Sequence, residues 1–361
     1  MAISKDLRRK FPALQRGIYV NTPTSGPFNE DLLEWRQNHD LDFLVGASEV
    51  TGDTAALLEK TRTAVANFFN FQAADVALVP SFSQGLNLLL EGLNVAERVL
   101  LLQDDYPSLN WPFESRGFPI TYLTISEQLE DEIEACIQEQ KITVFAFSAV
   151  QWLNGYKINF NFIKRLRELY PNLLLIMDGT QFCGTSHFDF DASGIDVMGA
   201  SGYKWLLSGY GNGFMLVHPR HQSRFRLKTR GYGSGRNAAF QKNEGTFCMQ
   251  LEPGHLDPLC FGSLLFSLNF LMDVGLSEIT QQNTMLARLL KEELKALELL
   301  DNTIVNNEPL STIFRLTSRD KYEALQQENV VCAIRGGGIR MGFHFYNTED
   351  EVKRIVEILK K

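Results

Sequence analysis

The chain has 361 residues, 44% hydrophobic and 22% charged, as is usual for a globular protein. Its net charge of −8 and the lack of any Lys/Arg block argue against a nucleic-acid-binding surface. The N-terminus turns polar at once, and no apolar run is long enough to span a membrane, so we expect a cytoplasmic protein. No C-x-x-C spacing suggests a zinc site or a disulfide framework among its five scattered cysteines: Cys136, Cys183, Cys248, Cys260 and Cys332.

Short apolar runs alternate with amphipathic helices through the first two thirds of the chain. This alternation predicts an α/β fold with a mixed, mostly parallel sheet flanked by helices. An N-terminal arm over residues 1–20 comes before a turn at 21–27. The predicted strands are 77–79, 99–102, 119–124, 143–147, 173–177, 195–199 and 213–217, and the predicted helices are 54–69, 86–93, 127–139 and one lined by Phe160, Ile163, Leu166 and Leu169.

The chain becomes helix-rich after residue 263 and ends in a smaller α+β unit. Residues 277–299 predict a long amphipathic helix whose apolar positions include Met285. Two short strands are expected at 313–316 and 330–333, and Thr348 and Glu351 form a capping box at the start of the last helix. We therefore expect three parts: the arm 1–20, a large domain 21–258 and a small domain 259–361.

A phosphate site is predicted where the strand at 77–79 leads through a turn of small residues into a helix. Free N–H groups and the helix dipole both favour an anion at such a helix start. The residues concerned are Phe82, Ser83 and Gln84. Any strand-to-helix turn fits this description, so the prediction depends on what lies beside it.

The most informative stretch runs from 173 to 217. Asp178 follows a buried strand, with Gln181 three positions on, and Lys204 follows the next strand between Tyr203 and Trp205. In open α/β sheets, ligands bind at these strand ends. Aromatic neighbours should desolvate the lysine and lower its pKa, which makes its amine a nucleophile. A lysine paired with a carboxylate is what pyridoxal 5′-phosphate (PLP) requires: an amine for a Schiff base and a partner for the pyridine nitrogen.

The motifs D-G-T-Q and S-G-Y-K-W resemble those of class V aminotransferases of PLP fold type I. The resemblance implies that Lys204 forms the Schiff base and moves the α-proton, while Asp178 protonates the pyridine nitrogen. It further implies a homodimer. The remaining cofactor contacts that it implies are Tyr106 stacked on the ring, Gln181 on the ring oxygen, and Phe82, Ser83, Gln84, Ser201 and Tyr203 around the phosphate, with His255 reaching the phosphate of the partner subunit.

The C-terminal segment R-G-G-G-I-R-M-G-F-H-F-Y-N-T extends the resemblance over nearly the whole chain. It implies that Arg340 binds the substrate carboxylate. Cysteine desulfurases of this class carry their nucleophilic cysteine on a loop after the residue matched by Arg335, and here only four residues separate Arg335 from Arg340. The nearest cysteine, Cys332, lies before Arg335 in a predicted strand and is expected to be buried. We therefore expect no persulfide chemistry.

Several activities remain open for such a chain. We expect transamination of a small amino acid, with a carbon–sulfur lyase or an epimerase as the alternative within the same chemistry. A binding protein that uses the fold without catalysis is less favoured, because Lys204 and Asp178 are both present. A dinucleotide-dependent dehydrogenase is disfavoured because no G-x-G-x-x-G follows the first strand.

Overall fold

The computed structural model describes residues 5–234 and 246–361, so the first four residues of the predicted arm and residues 235–245 of the predicted large domain lie outside it. The strands are β1 Ile18–Tyr19, β2 Val76–Val79, β3 Val99–Leu102, β4 Ile120–Leu123, β5 Val144–Ser148, β6 Leu174–Asp178, β7 Val197–Ser201, β8 Gly213–Val217, β9 Ile313–Arg315, β10 Val330–Val331, β11 Ala333–Arg335 and β12 Gly338–Gly342. The helices are α1 Lys5–Arg9, α2 Glu30–Gly46, α3 Thr51–Phe68, α4 Phe82–Leu90, α5 Pro107–Glu114, α6 Leu129–Glu139, α7 Phe160–Leu169, α8 Pro219–Gln222, α9 Pro258–Val274, α10 Leu276–Ala296, α11 Asn302–Val305, α12 Tyr322–Gln327 and α13 Glu349–Lys360.

A seven-stranded sheet with the order β2-β8-β7-β6-β5-β3-β4 forms the centre of the molecule. Its strands pair in parallel except for β8, which runs antiparallel to both of its neighbours. In the observed register, Ser148 lies opposite Asp178, and Asp178 lies opposite Gly199. The carboxyl ends of β5, β6 and β7 therefore meet at one edge, where α/β sheets bind ligands.

Both faces of this sheet are buried, because successive residues of its strands point into different apolar cores. Leu100, Phe145 and Leu175 belong to the first core, whereas Leu101 and Val144 belong to the second. Burial on two sides explains why these strands read as continuous apolar runs in the sequence. The predicted α/β class with a mixed, mostly parallel sheet is confirmed.

A second, three-stranded sheet with the order β11-β12-β9 lies in the C-terminal part of the chain. Its strands, together with apolar residues of α10 and α13, form a third core. Strand β1 of the arm pairs in parallel with β10, so the two ends of the chain meet here. Helix α9 instead packs on α3 and contributes to the first core. The domain boundary at residue 258 stays a prediction.

Two details differ from the sequence analysis. Helix α4 begins at Phe82 rather than at residue 86, because the Ser81 hydroxyl accepts a hydrogen bond from Gln84 N and caps the helix one turn earlier. Met285 is 37% exposed and lies outside the buried stripe of α10, which is formed by Ile279, Leu286, Leu290 and Leu294. The capping box of Thr348 and Glu351 is confirmed.

Within residues 5–234 and 246–361, no single helix is apolar and long enough to cross a membrane. The consecutive helices α9 and α10 meet that standard of length and composition only as a pair, and they are bent by 76° relative to each other.

Candidate active site

Lys204 lies three residues beyond the end of β7, and its side chain is only 5% exposed. Its Nζ atom is 5.2 Å from the ring centroid of Tyr106 and 5.5 Å from that of Tyr203. Burial lowers the pKa of Lys204 to about 8; the charges of Arg340 and Arg335 act in the same direction, whereas Asp178 opposes them. About a tenth of this amine is thus uncharged at pH 7, far more than for a solvated lysine, and the uncharged amine is the state that a nucleophile needs.

Asp178 is the last residue of β6 and is 4% exposed. Its Oδ1 accepts a hydrogen bond from Thr180 N over 2.8 Å. Burial raises the pKa of Asp178 to about 6, against the bonds from Thr180 and the charge of Lys204, while nearby Asp105 raises it further. The carboxylate is charged at neutral pH, yet it attracts a proton more strongly than a solvated one. Such a carboxylate can hold a proton on a heterocyclic nitrogen.

A second buried carboxylate, Asp105, was not singled out from the sequence. Its Oδ1 accepts from the Ser148 hydroxyl over 2.6 Å and from Tyr106 N over 2.7 Å, and its Oδ2 accepts from Ser148 N over 2.9 Å. Burial raises the pKa of Asp105. These bonds join the end of β5 to the turn after β3 and fix the backbone that carries the Tyr106 ring. The sequence signal was present: an acidic residue in the turn after a strand and directly before that aromatic residue.

The start of α4 lies against the end of β7. Phe82 N donates to the Ser201 hydroxyl over 3.0 Å, and Ser201 N donates in turn to Thr180 Oγ1 over 3.2 Å. Ser83 and Gln84 occupy the first turn of the helix. The positive end of a nine-residue helix thus points into the edge that holds Lys204. Of the residues predicted around the phosphate, Phe82 and Ser201 are in direct contact with each other.

Gln181 is buried, and the structure gives its amide two partners. Its Nε2 donates to the carbonyl oxygen of Pro23 over 3.0 Å, and its Oε1 accepts from Trp205 Nε1 over 2.8 Å. The first bond leaves one Nε2 hydrogen for another acceptor. Neither partner was foreseen from the sequence.

Arg340 lies in β12 and is 3% exposed. Its guanidinium donates to the carbonyl oxygen of Trp152 over 2.7 Å and to the Thr24 hydroxyl over 2.9 Å. Its Nε atom is buried without a partner in the described part of the chain. Burial, with the charge of Arg335, lowers the pKa of Arg340 to about 10. A buried guanidinium with an unused donor is a group that a bound anion would stabilise.

Residues 37–355 match the family model described as "Aminotransferase class-V". The chain belongs to this family. A probable cysteine desulfurase of Ureaplasma parvum is 23% identical over 348 residues, which cover 87% of this chain and 85% of the relative. Isopenicillin N epimerase of Amycolatopsis lactamdurans is 26% identical over 341 residues, covering 84% and 85%.

Solved structures of the same class have the same fold. An apo cysteine desulfurase from Thermococcus onnurineus NA1 superposes with a TM-score of 0.86 at 16% identity, covering 100% of this chain and 98% of the other. The cystine C–S lyase C-DES in complex with cysteine persulfide gives a TM-score of 0.85 at 18% identity, covering 97% and 98%. The predicted PLP fold type I is confirmed.

The cofactor of this class V enzyme is PLP, and the residues at the sheet edge fit that molecule. An amine of lowered pKa lies at Lys204, a carboxylate of raised proton affinity at Asp178, and a helix start beside Ser201. These three groups match the aldehyde, the ring nitrogen and the phosphate of PLP. The chain is a PLP-dependent class V enzyme.

His255 differs from the other predicted site residues of the class V pattern. It is exposed, and its ring stacks on Tyr232 with a centroid distance of 5.1 Å and an interplanar angle of 2°. Within the described residues it shares no hydrogen bond, ion pair or ring contact with the other predicted site residues. Its predicted contact involves a second subunit, so it stays a prediction.

A very short turn joins the two strands that carry Arg335 and Arg340. Strands β11 and β12 are joined by Gly336 and Gly337 alone, and both have positive φ values of 53° and 79°. Such a two-residue turn needs glycine-like residues, because side chains disfavour this backbone region. Cys332 precedes β11, is buried as expected, and has a thiol pKa raised to about 11 by that burial.

Proposed function

We propose that this enzyme is an aminotransferase that acts on a small amino acid. The observation that carries the proposal is the position of Lys204, buried between two tyrosine rings beside Asp178 and Arg340. Transamination requires a single amine that can take the proton from Cα of the amino acid and deliver it to the reacting carbon of the cofactor, within a site closed to water. Nothing further is required of the side chains beyond holding the substrate and the cofactor.

PLP, when bound, supplies a carbonyl carbon that bonds to an amine and a pyridine ring that withdraws electrons from the substrate. Lys204 Nζ would hold PLP until the amino group of the substrate displaces it. The free amine would then take the proton from Cα of the amino acid and deliver it to the carbonyl-derived carbon that PLP supplies. With a pKa of about 8, the amine exchanges protons readily near neutral pH.

The other site residues orient the two molecules in this proposal. Asp178 would hold the pyridine nitrogen, Tyr106 would stack on the ring, and Gln181 would use its remaining Nε2 hydrogen on the ring oxygen. Arg340 would bind the α-carboxylate through its guanidinium. The phosphate would lie at Phe82, Ser83, Gln84, Ser201 and Tyr203, with His255 of the partner subunit completing it in a cytoplasmic homodimer.

Persulfide chemistry of the desulfurase type is not supported. That chemistry needs a mobile thiolate at the mouth of the site, and the β11–β12 turn consists of two glycines. Cys332, the nearest cysteine in sequence, is buried with a raised pKa, and a thiol in that state is a poor nucleophile.

A carbon–sulfur lyase or an amino-acid epimerase is the second candidate. Both reactions use the same lysine and need no cysteine. The similarity to isopenicillin N epimerase and to the fold of the cystine C–S lyase supports these two activities as alternatives. The outcome depends on which bond at Cα lies perpendicular to the cofactor ring.

The visible spectrum of the PLP-loaded protein tests these alternatives during addition of single L- and D-amino acids. An aminotransferase should lose the band of the lysine-bound cofactor lastingly and form one keto acid per active site. A band that returns while product accumulates would instead indicate a lyase or an epimerase. Lys204→Ala should abolish the band, and a band that survives this substitution contradicts the assigned role of Lys204.

A further inference from the structure

The β11–β12 hairpin places two arginines on one of its faces. In its register, Ala333 lies opposite Arg340, and Arg335 lies opposite Gly338. Positions two apart in a strand share a face, and paired positions share it across the ladder. Arg335 and Arg340 are therefore diagonal neighbours on the same face. The two-residue turn holds them in this arrangement, since a strand pair closed by so short a connection cannot slip in register.

The same hairpin forms part of the mouth of the site. A Cβ atom added at Gly336, next to Arg335, would lie 3.4 Å from Leu153 Cδ2 in the loop after β5. The preceding residue of that loop, Trp152, accepts the hydrogen bond from Arg340. Arg335 is exposed whereas Arg340 is buried, so the two guanidiniums occupy an outer and an inner position. The charge of Arg335 also lowers the pKa of Arg340 and of Lys204.

Neither guanidinium has a carboxylate partner within ion-pair distance in the described parts of the chain. Arg335 donates to the carbonyl oxygen of its neighbour Ile334 over 2.9 Å. Arg315, on the adjacent strand β9, shows the contrast, because it pairs with Asp301 over 2.6 Å. One α-carboxylate satisfies one arginine, and the cofactor phosphate is proposed to lie at the far end, beside α4. The outer arginine thus keeps an uncompensated charge at the mouth.

We propose that Arg335 binds a second carboxylate on the side chain of the substrate, so that the enzyme prefers dicarboxylic amino acids of the aspartate and glutamate class. This inference rests on the proposed function and narrows its substrate. The inner arginine takes the α-carboxylate and the outer arginine takes the distal one. A planar guanidinium binds each carboxylate through parallel N–H donors.

The test compares acids with their nearly isosteric neutral amides on the PLP-loaded protein. Half-saturating concentrations are measured from the visible spectrum for L-aspartate and L-asparagine, and for L-glutamate and L-glutamine. The acids should bind more tightly by about tenfold or more, the size expected for a hydrogen bond between charged groups. The preference should weaken with added salt, because Arg335 is exposed.

Substitutions assign this preference to one residue. Arg335→Gln should bring the acid-to-amide ratio close to one, because only the acids lose a contact and any change in the pKa of Lys204 or Arg340 acts on acids and amides alike. Arg335→Lys should keep part of the preference. Arg319→Gln removes an equal charge from another exposed arginine of the C-terminal part and should leave the ratio unchanged.

Two results overturn the inference while leaving the proposed function intact. One is a wild-type protein whose half-saturating concentrations are the same for amides and for acids. The other is an Arg335→Gln variant whose affinity for acids and for amides falls by the same factor, since Arg335 would then act on the α-carboxylate. A lysine-bound band that no amino acid changes overturns the proposed function together with the inference.

Discussion

Trp205 donates its indole N–H to Gln181 Oε1 over 2.8 Å, and Gln181 donates onward to the carbonyl oxygen of Pro23. This chain of bonds joins the residue after Lys204 to the segment after β6 and to the N-terminal loop. Trp205→Phe removes the donor and leaves a buried amide oxygen unsatisfied. We expect it to lower the free energy of unfolding by about 1–3 kcal/mol, as measured by urea denaturation of the PLP-free protein.

A double-mutant cycle isolates this bond from the change in ring size. Trp205→Phe, Gln181→Leu and the double variant are compared. The losses in unfolding free energy of the two single variants should together exceed the loss in the double variant, because the second substitution removes the orphaned oxygen. Strictly additive costs would show that the bond contributes nothing to stability.

The capture of PLP by the free protein should depend on pH with a midpoint near 8. Only the uncharged amine of Lys204 forms the covalent bond, and burial has lowered its pKa from 10.5 to about 8. The capture rate should therefore rise as pH increases through about 8 and level off above it. Stopped-flow absorbance at a fixed PLP concentration measures this rate.

Asp178→Asn tests whether the charge of Asp178 sets the position of that midpoint. The Asp178 charge raises the pKa of Lys204, so removing it should shift the midpoint to lower pH. A midpoint near 10 in the wild type, or an upward shift in the variant, would contradict the pKa direction derived from burial.

Ser201→Ala should weaken PLP binding more than Ser83→Ala if the bond between Phe82 N and the Ser201 hydroxyl positions the start of α4. Loss of that acceptor frees the N–H and loosens the contact between helix and strand. A decrease in PLP affinity of about tenfold corresponds to one hydrogen bond of ordinary strength. Equilibrium dialysis gives the affinities. The reverse order of the two variants would place the phosphate closer to Ser83.

Cys332→Ala should leave the turnover of any amino-acid substrate unchanged within about twofold. The thiol is buried and its raised pKa of about 11 keeps it protonated at neutral pH. Reaction with iodoacetamide at neutral pH should likewise be slow in the folded protein. Loss of turnover in the alanine variant, with an unchanged melting temperature, would restore a nucleophilic role for this cysteine.

The β11–β12 turn should tolerate alanine poorly at Gly337. The space around a Cβ atom there is open, but φ is 79°, so the cost is one of backbone strain, about 1–2 kcal/mol. Gly254→Ala is a matched control, because its Cβ would also meet open space and its φ lies outside the left-handed region. Equal denaturation midpoints for the two variants would show that alanine at position 337 causes no such backbone strain.

The sequence predicted the parts of the site that depend on position along a strand. Asp178 and Lys204 follow apolar runs, and parallel strands bring such ends to one edge, so their proximity could be predicted without knowing any contact. The burial of Lys204 followed from its aromatic neighbours. The α/β class could also be predicted, because it follows from the alternation of strands and helices along the chain.

Contacts between distant segments could not be predicted in this way. The bonds of Arg340 to Thr24, of Gln181 to Pro23 and of Asp105 to Ser148 join residues that are 316, 158 and 43 positions apart. They depend on loop conformations that periodicity does not encode. The start of α4 was misplaced because a serine cap competes with the turn residues around it, and the predicted role of His255 involves a second subunit and stays a prediction.

The parallel pairing of β1 with β10 has a consequence for movement around the site. From β1 the chain continues directly to Thr24, which holds Arg340, and then to Gly26, whose N–H donates to the carbonyl oxygen of Tyr203 over 2.8 Å. We therefore expect a movement of the three-stranded sheet that carries Arg340 to be transmitted to the peptide next to Lys204. Only residues 24–26 separate the partner of the Arg340 guanidinium from the partner of the Tyr203 carbonyl, so we expect a shift of one of these groups to move the other.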